Sequence, residues 1–392
     1  MSMDACELDA YLADCRQLTI SELRAIIPKS ERYRLVLYDL MLEYPLRAAK
    51  ALRPALCIAT CRALGGRLES VLRSAAVLEL YHNAFLIHDD VEDGSESRRD
   101  RPTLHWSHGM PIAVNVGDAM LALALQPLLD NMQVIGLGKA LRILQIVARM
   151  ARESAEGQAL ELEWIRRRSW TQTDADYIRM VYKKTSWYTF IAPVLIGAII
   201  AGVDPEHLHP LRKFAALLGI AFQIQDDVLN LVGEGGAYGK EVAGDLWEAK
   251  HTLILLHMMR TVSADEREQA ERLLAKPRPA PPHQATAANL VVRIRAVADE
   301  LTAERALTAA GRAAIHAALD GCAAGEPVKS VDDVHYLLHL IERAGSIEYA
   351  RGVAHRFAEK AATILARVDH MAPSVHHDFL GALVEFVVQR NH

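Results

Sequence analysis

The chain has 392 residues, of which 51% are hydrophobic and 24% are charged, a composition typical of a soluble protein with one large core or two smaller domains. Its formal charge of −5, without any sustained run of Lys and Arg, excludes a basic surface for nucleic acid. The first thirty residues carry Asp4, Glu7 and Asp14 among apolar residues, so they lack the layout of a secretory signal.

Helical periodicity dominates the first 232 residues, with apolar side chains at three- and four-residue steps and little strand-like alternation. Glycine and proline gather in the breaks, for example from Gly94 to Pro102 and from Gly233 to Gly239. The helices predicted here are Leu35 to Leu42, Pro54 to Leu64, Leu68 to Asp93, Ile112 to Met132, Lys139 to Arg168, Asp174 to Val203 and Pro210 to Val232.

The second part of the chain contains a Pro-rich break, Lys276 to Pro282, and then an Ala- and Arg-rich helical stretch that ends near Leu319. We interpret residues 276–328 as an insertion within one domain that spans residues 1–392. Helical periodicity then resumes in Val334 to Ile341, Ile347 to Val368 and Phe379 to Val388. The predicted fold class is therefore all-α.

The longest apolar stretch, Phe190 to Val203, contains Pro193 and is too short to span a bilayer, so we expect a buried helix and no membrane span. The cysteines are odd in number and show no Cys-Xaa-Xaa-Cys spacing, which is typical of reduced thiols. We therefore expect a cytoplasmic protein without a zinc site. The cysteines are Cys6, Cys15, Cys57, Cys61 and Cys322.

Two acidic clusters lie far apart in the chain, Asp89 to Asp93 and Asp226 to Asn230, and apolar helical residues precede each of them. The first and last residues of each cluster stand one helical turn apart, so two facing helices would present converging oxygen ligands. Such ligands suit magnesium, which a few carboxylates hold and substrate phosphates complete. The alternative is a solvated helix face, but interior carboxylates about 5 Å apart repel by roughly 3 kcal/mol, which a divalent cation reverses.

Further motifs follow the first cluster in order: Arg98 to Thr103, Glu156-Gly157-Gln158, Lys184-Thr185, Phe222 to Asn230, Gly239-Lys240-Glu241 and Gly244 to Leu253. This ordered set strongly resembles the trans-isoprenyl diphosphate synthases over nearly the whole chain. The resemblance implies an isoprenoid synthase-type helical bundle around a central active-site cavity, usually as a homodimer. It also implies condensation of an allylic diphosphate with isopentenyl diphosphate.

The resemblance further implies three magnesium ions, which manganese can replace. The main metal ligands would be Asp89, Asp93 and Asp226, supported directly or through water by Asp90, Asp227 and Asn230. Arg98, Lys184 and Lys240 would complete the allylic diphosphate pocket, and Lys250 of the last motif would also bind substrate. The Thr185 hydroxyl and the Gln223 side-chain oxygen would stabilise the carbocation.

The second diphosphate would bind residues that match a basic pocket of the family: Lys50, Arg53, His82 and Arg99. His82 lies two helical turns before Asp89 on the same face. The chain departs from the family pattern where Ala48, Ala49, Asp100 and Ala249 replace glycines and Ala51 replaces an arginine. Because rigid residues and the added charge of Asp100 disfavour diphosphate binding, we expect reduced activity or an unusual second substrate.

Product length in this family depends on the residues five and four positions before the first aspartate, which line the tunnel floor and are here Ala84 and Phe85. Burying a further five-carbon unit gains about 3 to 4 kcal/mol, so a steric plug must stop growth. The small Ala84, together with Asn230 as in geranylgeranyl-type members, favours geranylgeranyl over farnesyl diphosphate. Phe85 either refills part of the tunnel or is ordinary core packing.

Three other interpretations compete with this one. A class I terpene cyclase shares the fold and the metal-triggered ionisation, although the basic set for a second diphosphate argues against it. A weakly active regulatory subunit of a heteromeric synthase should lack metal ligands that this chain keeps. A phosphohydrolase, suggested only by the pair His88-Asp89, would need an accompanying histidine set.

Overall fold

The computed structural model describes residues 3–47, 49–232, 243–279, 287–320, 328–368 and 370–389. Within these ranges the chain is helical apart from one hairpin of two-residue strands, which confirms the predicted all-α class. Lys240, predicted to bind substrate, and Ala48, predicted to be a departure from the family pattern, lie outside the described residues.

The first elements build the wall that carries the first acidic cluster. A capping box between Asp4 and Glu7 starts α1. The elements are α1 (Ala5–Ile26), a π-helix (Arg34–Tyr38) that continues into α2 (Asp39–Leu46), α3 (Leu52–Ala63), α4 (Leu68–Glu92), β1 (Ser97–Arg98) and β2 (Arg101–Pro102). The two strands pair antiparallel, with Arg98 opposite Arg101.

The next elements build the opposite wall. The segment predicted as one helix from Ile112 to Met132 is divided into three helices that begin at Met110, Leu125 and Met132. The elements are α5 (Leu104–His108), α6 (Met110–Leu123), α7 (Leu125–Asp130), α8 (Met132–Ile135), α9 (Leu137–Arg167), α10 (Asp174–Val181), a π-helix (Tyr182–Ile191), α11 (Ala192–Ala201), a short 3₁₀ helix (Pro205–His207) and α12 (Leu208–Val232).

The remaining helices close the bundle and form a helical pair at the predicted insertion. They are α13 (Gly244–Trp247), α14 (Leu253–Thr261), α15 (Ala264–Ala275), α16 (Ala287–Ala303), α17 (Ala309–Asp320), α18 (Val331–Arg343), α19 (Ser346–Leu365) and α20 (Val375–Gln389). In the helical pair, Arg312 of α17 forms a 2.7 Å salt bridge with Asp299 of α16.

The ends of the predicted insertion lie next to each other. The backbone N–H of Lys329 donates to the carbonyl of Pro277 at 2.8 Å. The fully buried Lys329 ammonium donates to the carbonyls of Leu246 and Trp247 at 2.6 and 3.0 Å, at the end of α13. Pro277 and Lys329, which flank the predicted insertion, thus lie side by side next to α13.

Two hydrophobic cores meet along α12. The larger core gathers residues of α1, α3, α4, the π-helix Tyr182–Ile191, α11 and α20 around the first half of α12, for example Phe190 and Phe214. The smaller core gathers residues of α10, α14, α18 and α19 around its second half, for example Ile224 and Val228. Because α12 is buried between both cores, the acidic cluster at its C-terminal end is held rigidly.

By length and mean hydropathy alone, three helical stretches of described residues could cross a membrane: Met110–Ile135, Asp174–Ala201 and Pro205–Val232. In Asp174–Ala201, 83% of the apolar window is buried inside the protein, and in Pro205–Val232 the figure is 67%. The apolar run predicted to form a buried helix, Phe190 to Val203, thus belongs to a longer helical stretch that begins at Asp174. In Met110–Ile135 only 39% is buried, so this stretch presents an apolar surface.

Candidate active site

A cavity of about 590 Å³ lies between α4, α9, the π-helix Tyr182–Ile191 and α12. Its size is that of an ordinary small-molecule site. Asp89 lines it from α4, and Asp226, Asp227 and Asn230 line it from α12. The structure thus brings residues of both acidic clusters to the walls of one cavity.

Two glycines let the helices around the cavity approach closely. A Cβ on Gly157 of α9 would lie 2.3 Å from the backbone nitrogen of Lys184, and a Cβ on Gly219 of α12 would lie 2.7 Å from the Ser186 side chain. Both contacts are to the π-helix, whose wider turn carries Lys184 and Thr185. π-helical turns inside α-helices frequently occur at functional sites.

The carboxylates of the first cluster differ in their surroundings. Asp89 lines the cavity, and the Arg98 guanidinium lies 3.6 Å from its Oδ2. Asp93, whose side chain is 5% exposed, lines an adjacent cavity of about 260 Å³. Burial raises the pKa of Asp93 to about 7, although Lys250 opposes the rise.

Asp90 is fully buried and is not among the described residues that line the main cavity. Both of its oxygens accept from the Arg98 Nε, at 2.7 and 2.9 Å, and Oδ2 also accepts from the Tyr44 hydroxyl at 2.6 Å. This geometry differs from the predicted metal-supporting position. In the structure, Asp90 orients Arg98.

Two lysines form ion pairs with carboxylates around the cavity. Lys184 pairs with Glu161 and lies 3.5 Å from Asp89 Oδ1. Burial alone would lower the pKa of Lys184, but Glu161 and Asp89 outweigh this effect and raise it. Lys250 lies 2.8 Å from Asp93 and 2.7 Å from Glu248, and its pKa is likewise raised against burial. Both ammonium groups therefore remain charged.

On α12 a chain of hydrogen bonds fixes the polar side chains. The Thr185 hydroxyl donates to Gln223 Oε1 at 2.7 Å, and Gln223 Nε2 donates to Asp227 Oδ1 at 2.8 Å. The buried Tyr177 hydroxyl donates to Asp227 Oδ2 at 2.6 Å. Burial, together with the nearby Asp245, raises the pKa of Asp227. Asp226 lines the cavity one residue earlier.

Asn230, at the end of the second cluster, holds the segment that follows. Its Oδ1 accepts from the backbone N–H of Asp245 at 3.0 Å, and its carbonyl accepts from Ala243 at 2.8 Å. Asp245 and Lys250 line the cavity on the same segment. Asn230 therefore connects α12 to the loop that carries the second lysine.

The predicted second diphosphate pocket is a basic cluster in which Arg53 and Arg99 make few hydrogen bonds. Within the described residues, the hydrogen bonds of Arg53 and Arg99 go to the Thr189 hydroxyl at 2.8 Å and the Tyr44 carbonyl at 3.2 Å. Burial and the nearby arginines hold the pKa of His82 well below its usual value. Burial also lowers the pKa of Arg99 to about 10, although the buried Glu79 opposes this.

Lys50 and Ala84 differ from their predicted positions. Lys50 is exposed, with its ammonium 4.7 Å from the centre of the Phe386 ring, and it is not among the described lining residues. Ala84 is fully buried in the core because its Cβ points away from the cavity on α4. Phe85, the next residue, does line the cavity, in edge contact with Tyr81 and Tyr188.

The departures from the family pattern coincide with unusual backbone. Asp100 and Ala249 occupy left-handed conformations with φ of 59° and 55°, and Ala51, which replaces an arginine, has φ of 47°. Ala49 is partly buried beside Lys50. A residue with a Cβ is disfavoured in this region, where glycine is relaxed. The chain therefore accepts strain beside the basic residues at positions 50, 99 and 250.

Some cavity residues were not identified from the sequence. Glu161 pairs with Lys184, and Glu248 pairs with Lys250. Tyr188 stacks beneath the Arg53 guanidinium at 4.5 Å. An acidic residue on the buried face of an amphipathic helix could have indicated Glu161, which is four residues after Gly157.

An all-α bundle with facing acidic helices and an adjacent basic cluster defines a class of proteins that bind diphosphates and metal ions. The chain belongs to the polyprenyl synthetase family, whose model matches residues 36–291. The family and fold predicted from the sequence are thereby confirmed, and the chain is a prenyl diphosphate synthase by family.

Three known proteins illustrate the similarity. The short chain isoprenyl diphosphate synthase of Methanocaldococcus jannaschii is 34% identical over 256 residues, which are 64% of this chain and 74% of that protein. The geranylgeranyl pyrophosphate synthetase structure from Pyrococcus horikoshii has a TM-score of 0.76 at 27% identity and covers 98% of both chains. A polyprenyl synthase from Caulobacter crescentus, complexed with calcium and isoprenyl diphosphate, has a TM-score of 0.72 at 25% identity, covering 100% of this chain and 99% of that one.

Proposed function

We propose that this protein joins an allylic diphosphate to isopentenyl diphosphate and releases geranylgeranyl diphosphate. The observation that supports this most is a single cavity with two differently charged ends. Carboxylates paired with lysines lie at one end, and Arg53, His82 and Arg99 lie together at the other. A cyclase, which acts on one diphosphate, has no use for the second cluster.

The residues present fit a divalent metal ion at the carboxylate end. Asp89 and Asp226 offer hard oxygen donors in the main cavity and Asp93 offers them in the adjacent one, and Lys184 and Lys250 pair with Asp89 and Asp93. We propose magnesium, with three ions per site and manganese as a substitute. When bound, the metal would stabilise the charge that builds on the departing diphosphate.

The chain's own cations would share that charge. Lys184 and Lys250 lie beside the carboxylates that would hold the metal, so their ammonium groups can turn from these carboxylates to diphosphate oxygens. Arg98, whose Nε and Nη2 pair with Asp90, would offer its other terminal nitrogen to the same oxygens. Preorganised charges of this kind stabilise a leaving group without the cost of reorganising solvent.

The allylic carbocation would be held by oriented dipoles. Because Thr185 donates its proton to Gln223, the free lone pairs of the Thr185 oxygen are available to face positive charge. Tyr81, Phe85 and Tyr188 give the neighbouring wall an aromatic surface that excludes water. Water exclusion prevents capture of the cation before condensation.

The second diphosphate would bind at Arg53 and Arg99, with His82 as a neutral hydrogen-bonding group. His82 is neutral because its pKa is lowered by burial among arginines. Bound diphosphate would supply the missing negative charge of this cluster. The diphosphate released from the allylic substrate is the proposed acceptor of the final proton.

The test is product analysis with purified protein, magnesium, labelled isopentenyl diphosphate and each of dimethylallyl, geranyl and farnesyl diphosphate. The expected product is the twenty-carbon chain from every starter. Hydrocarbon released from an allylic diphosphate alone would instead identify a cyclase. Stimulation of another synthase without turnover by this protein would identify a regulatory subunit.

Product length is proposed to depend on Phe85 rather than Ala84, because only Phe85 lines the cavity. Phe85→Ala should shift products beyond twenty carbons, since it removes the aromatic ring from the wall. Ala84→Ser is the matched control and should leave product length unchanged. Longer products from Ala84→Ser alone would contradict this assignment.

We also propose a homodimer formed by the apolar surface of α6 to α9. Exposed apolar patches of this extent usually mark interfaces. The exposed residues include Met110, Leu125, Leu129, Val134, Leu137 and Leu141. Light scattering should give twice the mass of one chain for the wild type and the mass of one chain for the double variant Leu137→Lys/Leu141→Lys. A monomeric wild type would refute the proposal.

A further inference from the structure

The C-terminal end of α2 carries a buried arginine that contacts the β1–β2 hairpin. Arg47 is 3% exposed and is not among the described residues that line the cavity. One of its terminal nitrogens donates to the Arg98 carbonyl at 2.9 Å and to the Arg101 carbonyl at 3.4 Å. The other donates to the Pro102 carbonyl at 2.8 Å and pairs with Glu43 at 3.2 Å.

The planar fork of Arg47 therefore spans both strands of the hairpin. The turn that joins them places Arg99 and Asp100 at φ of 53° and 59°, a conformation that side-chain-bearing residues disfavour. Two strands of two residues cannot hold such a turn on their own. The contact from Arg47 supplies support from outside the hairpin.

Tyr44, one turn before Arg47, connects the same turn to α4. It is 1% exposed, and its ring lies 4.3 Å from the Arg47 guanidinium. Its hydroxyl donates to Asp90 at 2.6 Å and accepts from the Leu104 N–H at 3.1 Å. Its carbonyl accepts from Arg99 at 3.2 Å. Tyr44 thus contacts Arg99 directly and reaches Arg98 through Asp90.

We propose that Arg47 and Tyr44 are positioning residues that fix the two arginines of the hairpin, Arg98 toward the allylic diphosphate and Arg99 toward isopentenyl diphosphate. Arg47 sets the turn and hence Arg99. The Tyr44 hydroxyl sets Asp90 and hence Arg98. This inference rests on the proposed function, because it assigns each arginine to one of two substrates.

The first test is Arg47→Gln, measured as kcat and KM for each substrate. Loss of the fork should raise the KM for isopentenyl diphosphate at least tenfold, while kcat and the allylic KM change less than threefold. Arg47→Lys should fall in between, since an ammonium cannot span both strands. Arg73→Gln, which removes a remote 3.0 Å pair with Glu22, is the control and should change neither KM.

The second test is Tyr44→Phe, which removes the hydroxyl that bonds Asp90 and keeps the ring and the carbonyl that bonds Arg99. This variant also tests the proposal if Arg47→Gln does not fold. It should raise the allylic KM at least threefold and leave the isopentenyl KM unchanged. Equal changes in both KM values, or none, in either variant would overturn the proposal. If the wild type shows no turnover, the proposed function fails, and inorganic diphosphate affinity by calorimetry still tests the positioning by comparing Arg47→Gln with wild type.

Discussion

The two ends of the cavity differ in how their charges are balanced. At the carboxylate end, Lys184 and Lys250 pair with Asp89, Glu161, Asp93 and Glu248, so carboxylates outnumber ammonium groups there. At the basic end, Arg53 and Arg99 have only a hydroxyl and a carbonyl as hydrogen-bond acceptors among the described residues. A site with an excess of carboxylates suits a ligand that arrives with its own metal ions, and a site with an excess of arginines suits a bare anion.

The largest effect on catalysis should come from removing carboxylates at the carboxylate end of the cavity. Asp89→Asn and Asp226→Asn, made singly, should each lower kcat at least about 10³-fold, because charge stabilisation of the leaving group is lost. Steady-state kinetics at saturating substrates measures this. Asp118→Asn, an exposed carboxylate on α6, should have no effect. A loss below tenfold would show that these carboxylates do not hold the metal.

Removing a lysine from the carboxylate end should destabilise the fold. Lys184→Met leaves the buried Glu161 carboxylate without its partner, and we expect a loss of about 3 kcal/mol in the free energy of unfolding. Urea unfolding of the protein without substrates measures it. Lys184→Met/Glu161→Leu should recover most of this loss, and failure of that rescue would contradict the pairing.

Removing a cation from the basic end should weaken substrate binding more than it destabilises the fold. Arg99→Gln should raise the KM for isopentenyl diphosphate about 10- to 100-fold, as expected for one charged hydrogen bond. It should lower the free energy of unfolding much less than Lys184→Met, because burial and the repulsion from Arg98 and Arg53 outweigh the attraction of Glu79 for the Arg99 charge. A loss of unfolding free energy as large as that of Lys184→Met would contradict the proposed difference between the two ends.

The basic end should also respond to acid. His82 has a pKa lowered by burial and by Arg53, Arg99 and Arg98, whereas in the unfolded chain it binds a proton near pH 6.5. Below that pH the unfolded state binds more protons, so stability falls as pH falls, by up to about 1.4 kcal/mol per pH unit. His82→Gln should reduce the dependence of the unfolding free energy on pH below pH 6.5, as measured by urea unfolding. An unchanged slope would place His82 outside the basic cluster.

The smallest effect concerns the strained turn at the basic end. Asp100→Gly should stabilise the fold by about 0.5–1 kcal/mol, since glycine is relaxed at φ of 59°, and should lower the KM for isopentenyl diphosphate by removing a nearby negative charge. Thermal unfolding and kinetics measure the two effects. Asp100→Ala separates them, because it removes the charge and keeps the Cβ.

The sequence predicted the fold class, the long helices and the family well, because these depend on local periodicity and ordered motifs. α4 and α12 were predicted within a few residues of their observed ends. Other elements were missed for identifiable reasons. α1 carries the buried polar Thr19 on its packed face, and the short α13 has too few turns to show periodicity.

Site residues were harder to place than helices. Ala84 and Phe85 are neighbours on one helix, yet only Phe85 lines the cavity, because a 100° step separates their side chains. Asp89 and Asp90 differ in the same way. Arg47, Tyr44 and Glu161 belong to no acidic or basic motif, so their importance depends on contacts with residues distant in the chain.

By itself, the order of residues determined which chemical groups this protein contains and on which helical faces they repeat, since the period of a helix follows from local geometry. Only the tertiary structure decided which acidic side chain pairs with which basic side chain. Ion pairs and buried hydrogen bonds form across the gap between α4, α9 and α12, and their strength depends on distances and burial that no single segment of the chain specifies.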